Sequence, residues 1–242
     1  MAERLSLGVS PSTVNREKGT LSKMFQVLVE LRLLEGNPCR MVKNLSQKSE
    51  ERQVYLARAD VERILELLPT WAKPIVQTAF YTGMRRGEIL GLKRKQVDLS
   101  QRMIYLGPKE TKEGHWKRVP IHGELAIVLE SMMKVQSLGH DEIFLVDGKP
   151  PYRTSVSKPW RQAVLELGLE PRPRFHDLRH TWKTNARRSG MDPEIRESIM
   201  GHWYRGRNVN ERYGRIGDEE LVRAIDQMTF DHGKTEILVA RA

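Results

Sequence analysis

Residues 174–215 read RFHDLRHTWKTNARRSGMDPEIRESIMGHWYRGRNVNERYGR, a span crowded with His176, His180, His202, Tyr204, Tyr213 and many arginines. Three chemistries suit such a set: metal binding, a cationic grip on a polyanion, or covalent attack by a tyrosine. The metal reading is weak. His176 and His180 stand four apart, the same-face spacing of helical zinc ligands, but Asp177 replaces the customary glutamate between them. A metal nuclease also holds its ion with carboxylates, and Asp177 is the only one close by. No metal is expected.

The cationic reading has more behind it. Two adjoining helices with a glycine turn between them could grip DNA, with arginines from Arg172 to Arg215 on the phosphates. A solvated charged face accounts well for Arg187 and Arg188. It accounts poorly for His176 and Arg179 on one helix face, with His202 directly after a helix-ending glycine. The covalent reading uses all of them. An ordinary phenol titrates near 10, so it needs surrounding cations to become a nucleophile toward phosphorus. Guanidinium forks suit the charge that gathers on the non-bridging oxygens. A lysine or histidine would then protonate the leaving oxygen.

Several elements must position these groups. Leu178, Trp182 and Ala186 predict a helical stripe ending before Gly190. Asp192 predicts a cap, Pro193 the first helical position, Ile195 and Ile199 an inner face, and Gly201 the stop. Upstream, Ser12 or Thr13 predicts the cap of a helix with Val14, Leu21, Phe25, Leu28 and Leu31 inward, stopped by Gly36, Asn37 and Pro38. The polar run VKNLSQKSEERQ reads as a linker. Asp60 then caps a helix through Val61, Ile64, Leu65 and Leu68, and Pro74 opens another through Phe80. The chain turns at Gly83 and restarts a short helix to Leu90. Alternation between Gln96 and His122 predicts strands, with turns at SQ and KEGH. Helices resume through Leu125, Val128, Met132 and Val135, and again through Trp160, Val164 and Leu167 to Gly168. The expected fold is mainly α with a small antiparallel three-stranded sheet, an α+β arrangement.

Lys and Arg total 41 against 31 Asp and Glu, a net charge of +10 that favours nucleic acid as partner. Cys39 stands alone, which excludes a disulfide framework or cysteine-based zinc site within one chain. No apolar run is long enough to span a bilayer, and MAERLSLGVSPS lacks the apolar stretch of a secretory signal. No membrane partner is expected, and the expected location is the cytoplasm, associated with the nucleoid.

Taken together, the motifs resemble the tyrosine recombinases of the phage integrase family. TGMRRGE matches the first arginine motif with Thr82, Gly83, Arg85 and Glu88. TKEGHWKRVPI matches the strand-borne lysine with Lys112, with Lys109 and Lys117 as rivals. HDLRH matches the histidine–arginine box with His176 and Arg179, IMGHW supplies Gly201 and His202, and NERYGR supplies Tyr213. Single boxes of this kind are common by chance; this ordered set is specific. The resemblance implies a catalytic domain of the DNA breaking-rejoining type over 59–213. It implies the last helices of a truncated core-binding domain over 1–47, a linker over 48–58, and a tail over 214–242 able to dock in trans or in cis. It further implies site-specific cleavage and rejoining of double-stranded DNA through a 3′-phosphotyrosyl intermediate, without cofactor, by a homo-oligomer (a tetramer) on DNA. By the same resemblance Arg85 and Arg179 clamp the scissile phosphate, Lys112 protonates the leaving oxygen, His176 shuttles a proton, His202 donates to a phosphate oxygen, and Tyr213 attacks. Glu88 would position Arg85, and His180 and Trp182 would support the site by packing. The alternatives are strand relaxation of the type IB topoisomerase kind, or a non-catalytic DNA-binding regulator on the same fold.

Overall fold

The computed structural model describes residues 1–46, 52–112, 114–134, 139–152, 154–170, 172–201 and 216–239. The chain divides into two compact units, Met1–Arg52 with Leu238–Ala242, and Gln53–Ile237.

The first unit contains α1 (Ala2–Ser6), α2 (Pro11–Glu30) and a 3₁₀ turn at Pro38–Met41. The cap of α2 is Ser10 and not Ser12 or Thr13: its hydroxyl accepts from the Thr13 N–H at 3.3 Å. Pro11, with φ preset for a helix and no N–H to satisfy, takes the first helical position and so fixes the start one turn earlier. Val14 is buried, whereas Leu21 and Leu31, expected on the inner side, are 49% and 63% exposed. Asn37 ties the middle of α2 to the 3₁₀ turn by donating to the Ser22 carbonyl and accepting from the Cys39 N–H.

The second unit carries β1 (Arg52–Tyr55, shared with the boundary), α3 (Arg58–Leu67), α4 (Lys73–Thr82), α5 (Arg86–Leu90), β2 (Val97–Asp98), β3 (Met103–Leu106), β4 (Lys117–Pro120), α6 (Gly123–Lys134), α7 (Ser157–Glu166), α8 (Asp177–Arg188), α9 (Pro193–Met200), α10 (Asp218–Asp226) and β5 (Glu236–Val239). The architecture is mainly helical with a three-stranded antiparallel sheet in the order β2-β3-β4. Its register pairs Val97 with Ile104, Ile104 with Val119 and Leu106 with Lys117. Val135, expected on the helix that became α6, lies outside the described residues.

Two expectations shift here. Within the linker expected over 48–58, Val54, Tyr55, Leu56 and Ala57 are all buried. β1 pairs with β5 in a second, two-stranded sheet. Asp60 lies in the first turn of α3 and is not its cap, Ala57 holding that place. The Asp60 carboxylate instead accepts from Thr235 Oγ1 at 2.5 Å, while that hydroxyl accepts from the Ala57 N–H at 2.8 Å. The start of α3 is thus held by the tail.

The described tail residues up to Ile237 belong to the second unit. Leu221, Ile225, Met228 and Phe230 are buried in the core. The Phe230 ring meets those of Phe80, Tyr81 and His122 at centroid distances of 5.2, 4.9 and 5.1 Å. Arg102 from the β2–β3 turn reaches Asp226, and Arg118 from β4 reaches Asp218.

The α4–α8 contact centres on Gly83. This residue caps α4 at φ 61°, a left-handed conformation that glycine adopts without a steric penalty. A Cβ built there would stand 2.9 Å from the Trp182 ring, and Trp182 is fully buried with its Nε1 donating to the Tyr81 carbonyl at 3.0 Å. Gly83→Ala is therefore expected to cost about 2–4 kcal/mol, left-handed strain added to overpacking. Urea unfolding of the variant against the parent checks this; a change below about 1 kcal/mol would contradict it.

Candidate active site

Four parts of the second unit bring cations together: the α4–α5 turn, β4, the first turns of α8 and the end of α9. Arg85 stands at the N-cap of α5 in extended conformation, and Glu88 one turn on reaches back to it. Glu88 Oε2 accepts from the Arg85 backbone N–H at 3.0 Å, and Oε1 accepts from Arg85 Nη1 at 3.0 Å. Oε2 also accepts from Lys117 Nζ at 2.7 Å. Glu88 thus bonds both the backbone and the guanidinium of Arg85.

Arg179 is 5% exposed on α8. Its Nη1 donates to the Gly83 carbonyl at 2.6 Å and its Nη2 to the Met200 carbonyl at 2.8 Å. One guanidinium therefore bridges the C-terminal ends of α4 and α9, where helix carbonyls lack intrahelical partners and the macrodipole is negative. Two carbonyls on different elements fix the plane of the fork, which an ammonium could not do. Asp177, an alternative structural partner, accepts from the Arg174 backbone N–H at 2.7 Å.

His176 precedes α8 as its N-cap, with its ring edge-to-face on that of His180, 5.3 Å between centroids. Partial desolvation lowers the His176 pKa, and the neighbouring charges of His180, Arg179 and Arg85 push the same way against Asp177. The neutral, proton-accepting form is the one favoured at neutral pH. Among the described residues no group of three His, Cys, Asp or Glu side chains could hold a metal ion.

Lys117 is the residue whose place the motif reading did not foresee. It is buried, and its desolvation lowers the ammonium pKa to about 8 despite Glu88, with Arg179 and Arg85 adding to the drop. Burial alone would raise the Glu88 pKa, but Lys117 and the two Arg85 donors outweigh it and hold the carboxyl below its ordinary value. A signal was present in WKRVPI: at the period of two of a strand, Lys117 shares its face with Val119 and Ile121, all buried. Lys112 is exposed in the β3–β4 connection, near where Thr111 Oγ1 donates to the His115 carbonyl, and no described hydrogen bond or ion pair joins it to the cluster.

His202 and Tyr213 lie outside the described residues. The residues that flank them are placed. Asp192 caps α9 by accepting from the Glu194 and Ile195 N–H groups, and Gly201 ends it at φ 75°. On the far side the Ile216 carbonyl accepts from Arg118 Nη2 at 2.6 Å. Both α9 and α10 pack against β4, the strand that carries Lys117.

Among the described residues, Arg85, Lys117 and Arg179 gather close together, with the Glu88 carboxylate accepting from Arg85 and Lys117. Planar donors from separate elements suit a tetrahedral oxyanion.

No helix among the described residues is long and apolar enough to cross a membrane. In sequence, the chain is 26% identical over 211 residues to the integrase of Salmonella phage P22, covering 82% of this chain and 52% of that protein. It is 25% identical over 208 residues to the tyrosine recombinase XerC of Halalkalibacterium halodurans, covering 79% and 67%. The chain therefore spans about half to two thirds of the length of these relatives. In fold, it is similar to a lambda integrase in a dimer bound to a COC′ core site, with a TM-score of 0.68 at 19% identity, covering 88% of this chain and 61% of that one. It is also similar to the Tn1549 transposon integrase in complex with circular intermediate DNA, with a TM-score of 0.64 at 18% identity, covering 93% and 82%. The profile of the phage integrase family matches residues 54–216, nearly the whole of the second unit, and the chain belongs to that family.

Proposed function

We propose that this chain is a site-specific DNA recombinase or integrase that cleaves and rejoins strands through a 3′-phosphotyrosyl intermediate. The observation that supports it best is the buried cation cluster, in which Arg179 is fixed by carbonyls of two helices beside Arg85 and Lys117. Arg85 and Arg179 neutralise the non-bridging oxygens of the scissile phosphate, and His202 donates to one of them. The Tyr213 phenol gives its proton to neutral His176 and attacks phosphorus. The bond to the 5′ oxygen breaks, and Lys112, exposed on the β3–β4 connection, supplies that oxygen with a proton. The phosphotyrosine conserves the phosphodiester bond energy, so a 5′ hydroxyl from another strand reverses the step. No metal or nucleotide is needed. The substrate is double-stranded DNA, as in the two DNA complexes of similar fold, and the working form is a homo-oligomer, a tetramer, on DNA in the cytoplasm beside the nucleoid.

The test is covalent trapping. Nicked duplexes tiled across the DNA that flanks the protein's own gene are incubated with the chain in chelator, then denatured in detergent. A stable protein–DNA adduct is expected on one or a few duplexes. Binding without adduct on any of them would favour the regulator reading, and adduct that needs a divalent cation would revive the metal reading.

A further inference from the structure

The hairpin lysine expected to act on the leaving group is exposed, whereas a second lysine, Lys117, is enclosed beneath the arginines. We infer that Lys117 is a positioning residue for Arg85, acting through Glu88. This rests on the proposed recombinase reading and adds to it a role for a residue that does not itself meet DNA.

Three donors converge on the Glu88 carboxylate. Oε1 takes Arg85 Nη1, and Oε2 takes both Lys117 Nζ and the Arg85 backbone N–H. The Lys117 and Glu88 side chains are only 2% and 3% exposed, while that of Arg85 is 19% exposed. A buried carboxylate with an arginine as its only cationic partner pairs with it bidentately, fork to fork. Lys117 occupies one oxygen and so prevents this. Arg85 Nη1 then meets Glu88 at Oε1 while Lys117 holds Oε2, so the guanidinium is not drawn down flat onto the carboxylate. Lys117 also helps to balance the buried carboxylate, which among the described ion pairs would otherwise rest on Arg85 alone.

The charged groups facing Lys117 are Glu88 and Arg85 from the start of α5 and Arg179 from α8. α9 and α10 also pack on β4; of their charged groups, Glu197 pairs with Lys183 and Arg196, and Asp218 with Arg118 and Tyr105. Because desolvation holds the ammonium near pH 8, the restraint on Arg85 is present below that pH and lost above it. The contribution to stability has the opposite sign. The unfolded lysine titrates near 10.4, so between about pH 8 and 10.4 the unfolded chain binds more protons and this group makes folding more favourable as pH rises. Titration of this group therefore does not by itself lower stability through that window.

Two measurements test the inference. The first is the nitrogen NMR signal of the Arg85 guanidinium in the DNA-free protein, assigned by comparison with Arg85→Lys and followed from pH 6.5 to 9.5. It should shift with a midpoint near 8 in the parent and show no such step in Lys117→Met. The second is the rate of adduct formation on the duplex found by trapping. It should fall at least tenfold in the parent across the same step, be about tenfold lower in Lys117→Met at pH 7 without the step, and recover in part in Lys117→Arg. If Lys117→Met fails to fold, the parent titration alone still decides: an Arg85 signal that does not move near pH 8 overturns the inference. An unaltered adduct rate and pH profile in folded Lys117→Met overturns it as well. If the parent forms no adduct on any duplex, the recombinase reading fails, and the Arg85 titration then reports separately on the Lys117–Glu88–Arg85 linkage.

Discussion

Tyr213→Phe is expected to abolish the covalent DNA adduct, lowering its yield by more than about 10³-fold, while DNA affinity changes by less than about twofold. The substitution removes one oxygen, the atom that would bond to phosphorus, and leaves every described cation in place. The adduct assay on nicked duplex checks the first half and a mobility shift the second. Tyr204 is the competing nucleophile. It lies only two residues beyond His202, and Tyr204→Phe should leave the adduct intact. Adduct that survives Tyr213→Phe and disappears in Tyr204→Phe would move the chemistry to Tyr204.

Arg179→Ala should combine two losses. The charge proposed to face the phosphate disappears, which by analogy with other electrostatic stabilisers of a transition state costs about 10²–10³-fold in adduct rate. The carbonyls of Gly83 and Met200 lose their donor inside the protein, at about 1–3 kcal/mol each. For a unit of this size each kcal/mol lowers Tm by roughly 2–4 °C, so a drop of several degrees should appear in a thermal melt. Arg179→Lys keeps the charge but cannot span two carbonyls, and should restore stability only in part. Arg85→Ala is the informative contrast. Its rate loss should be comparable, but its loss of stability smaller, because Glu88 keeps Lys117 as partner and Arg85 is more exposed. Equal melting temperatures for Arg179→Ala and the parent would show that the two carbonyl bonds do not hold α4 and α9 together.

The sequence was informative where chemistry is local. Pro193, Asp192 and Gly201 each act within a turn of their own position, and they bound α9 as expected. The stripe Leu178, Trp182 and Ala186 put α8 in register and thereby aimed Arg179 inward. The alternation between Gln96 and His122 announced the three-stranded sheet. What stayed hidden depends on partners distant along the chain. β1 pairs with β5 across most of the chain, so neither strand carries a local turn signal, and the first of them reads as polar linker. The hydroxyl of Thr235 engages Asp60 and Ala57, and with them the start of α3, from the far end of the sequence. Lys117 was legible in part: its spacing from Val119 and Ile121 marks the inward face, but a lysine there contradicts the usual rule that such faces are apolar. Glu88, contributed by a different element, compensates the charge there. As for the functional set, Arg85, His176 and Arg179 stand around one cation cluster and Lys112 stands apart on the hairpin connection; His202 and Tyr213 are placed by motif alone.

The bond from Arg118 to the Ile216 carbonyl has a geometric corollary. That bond moors the backbone at the start of the tail to the strand that also carries Lys117, so loss of the Arg118 guanidinium would free that mooring point.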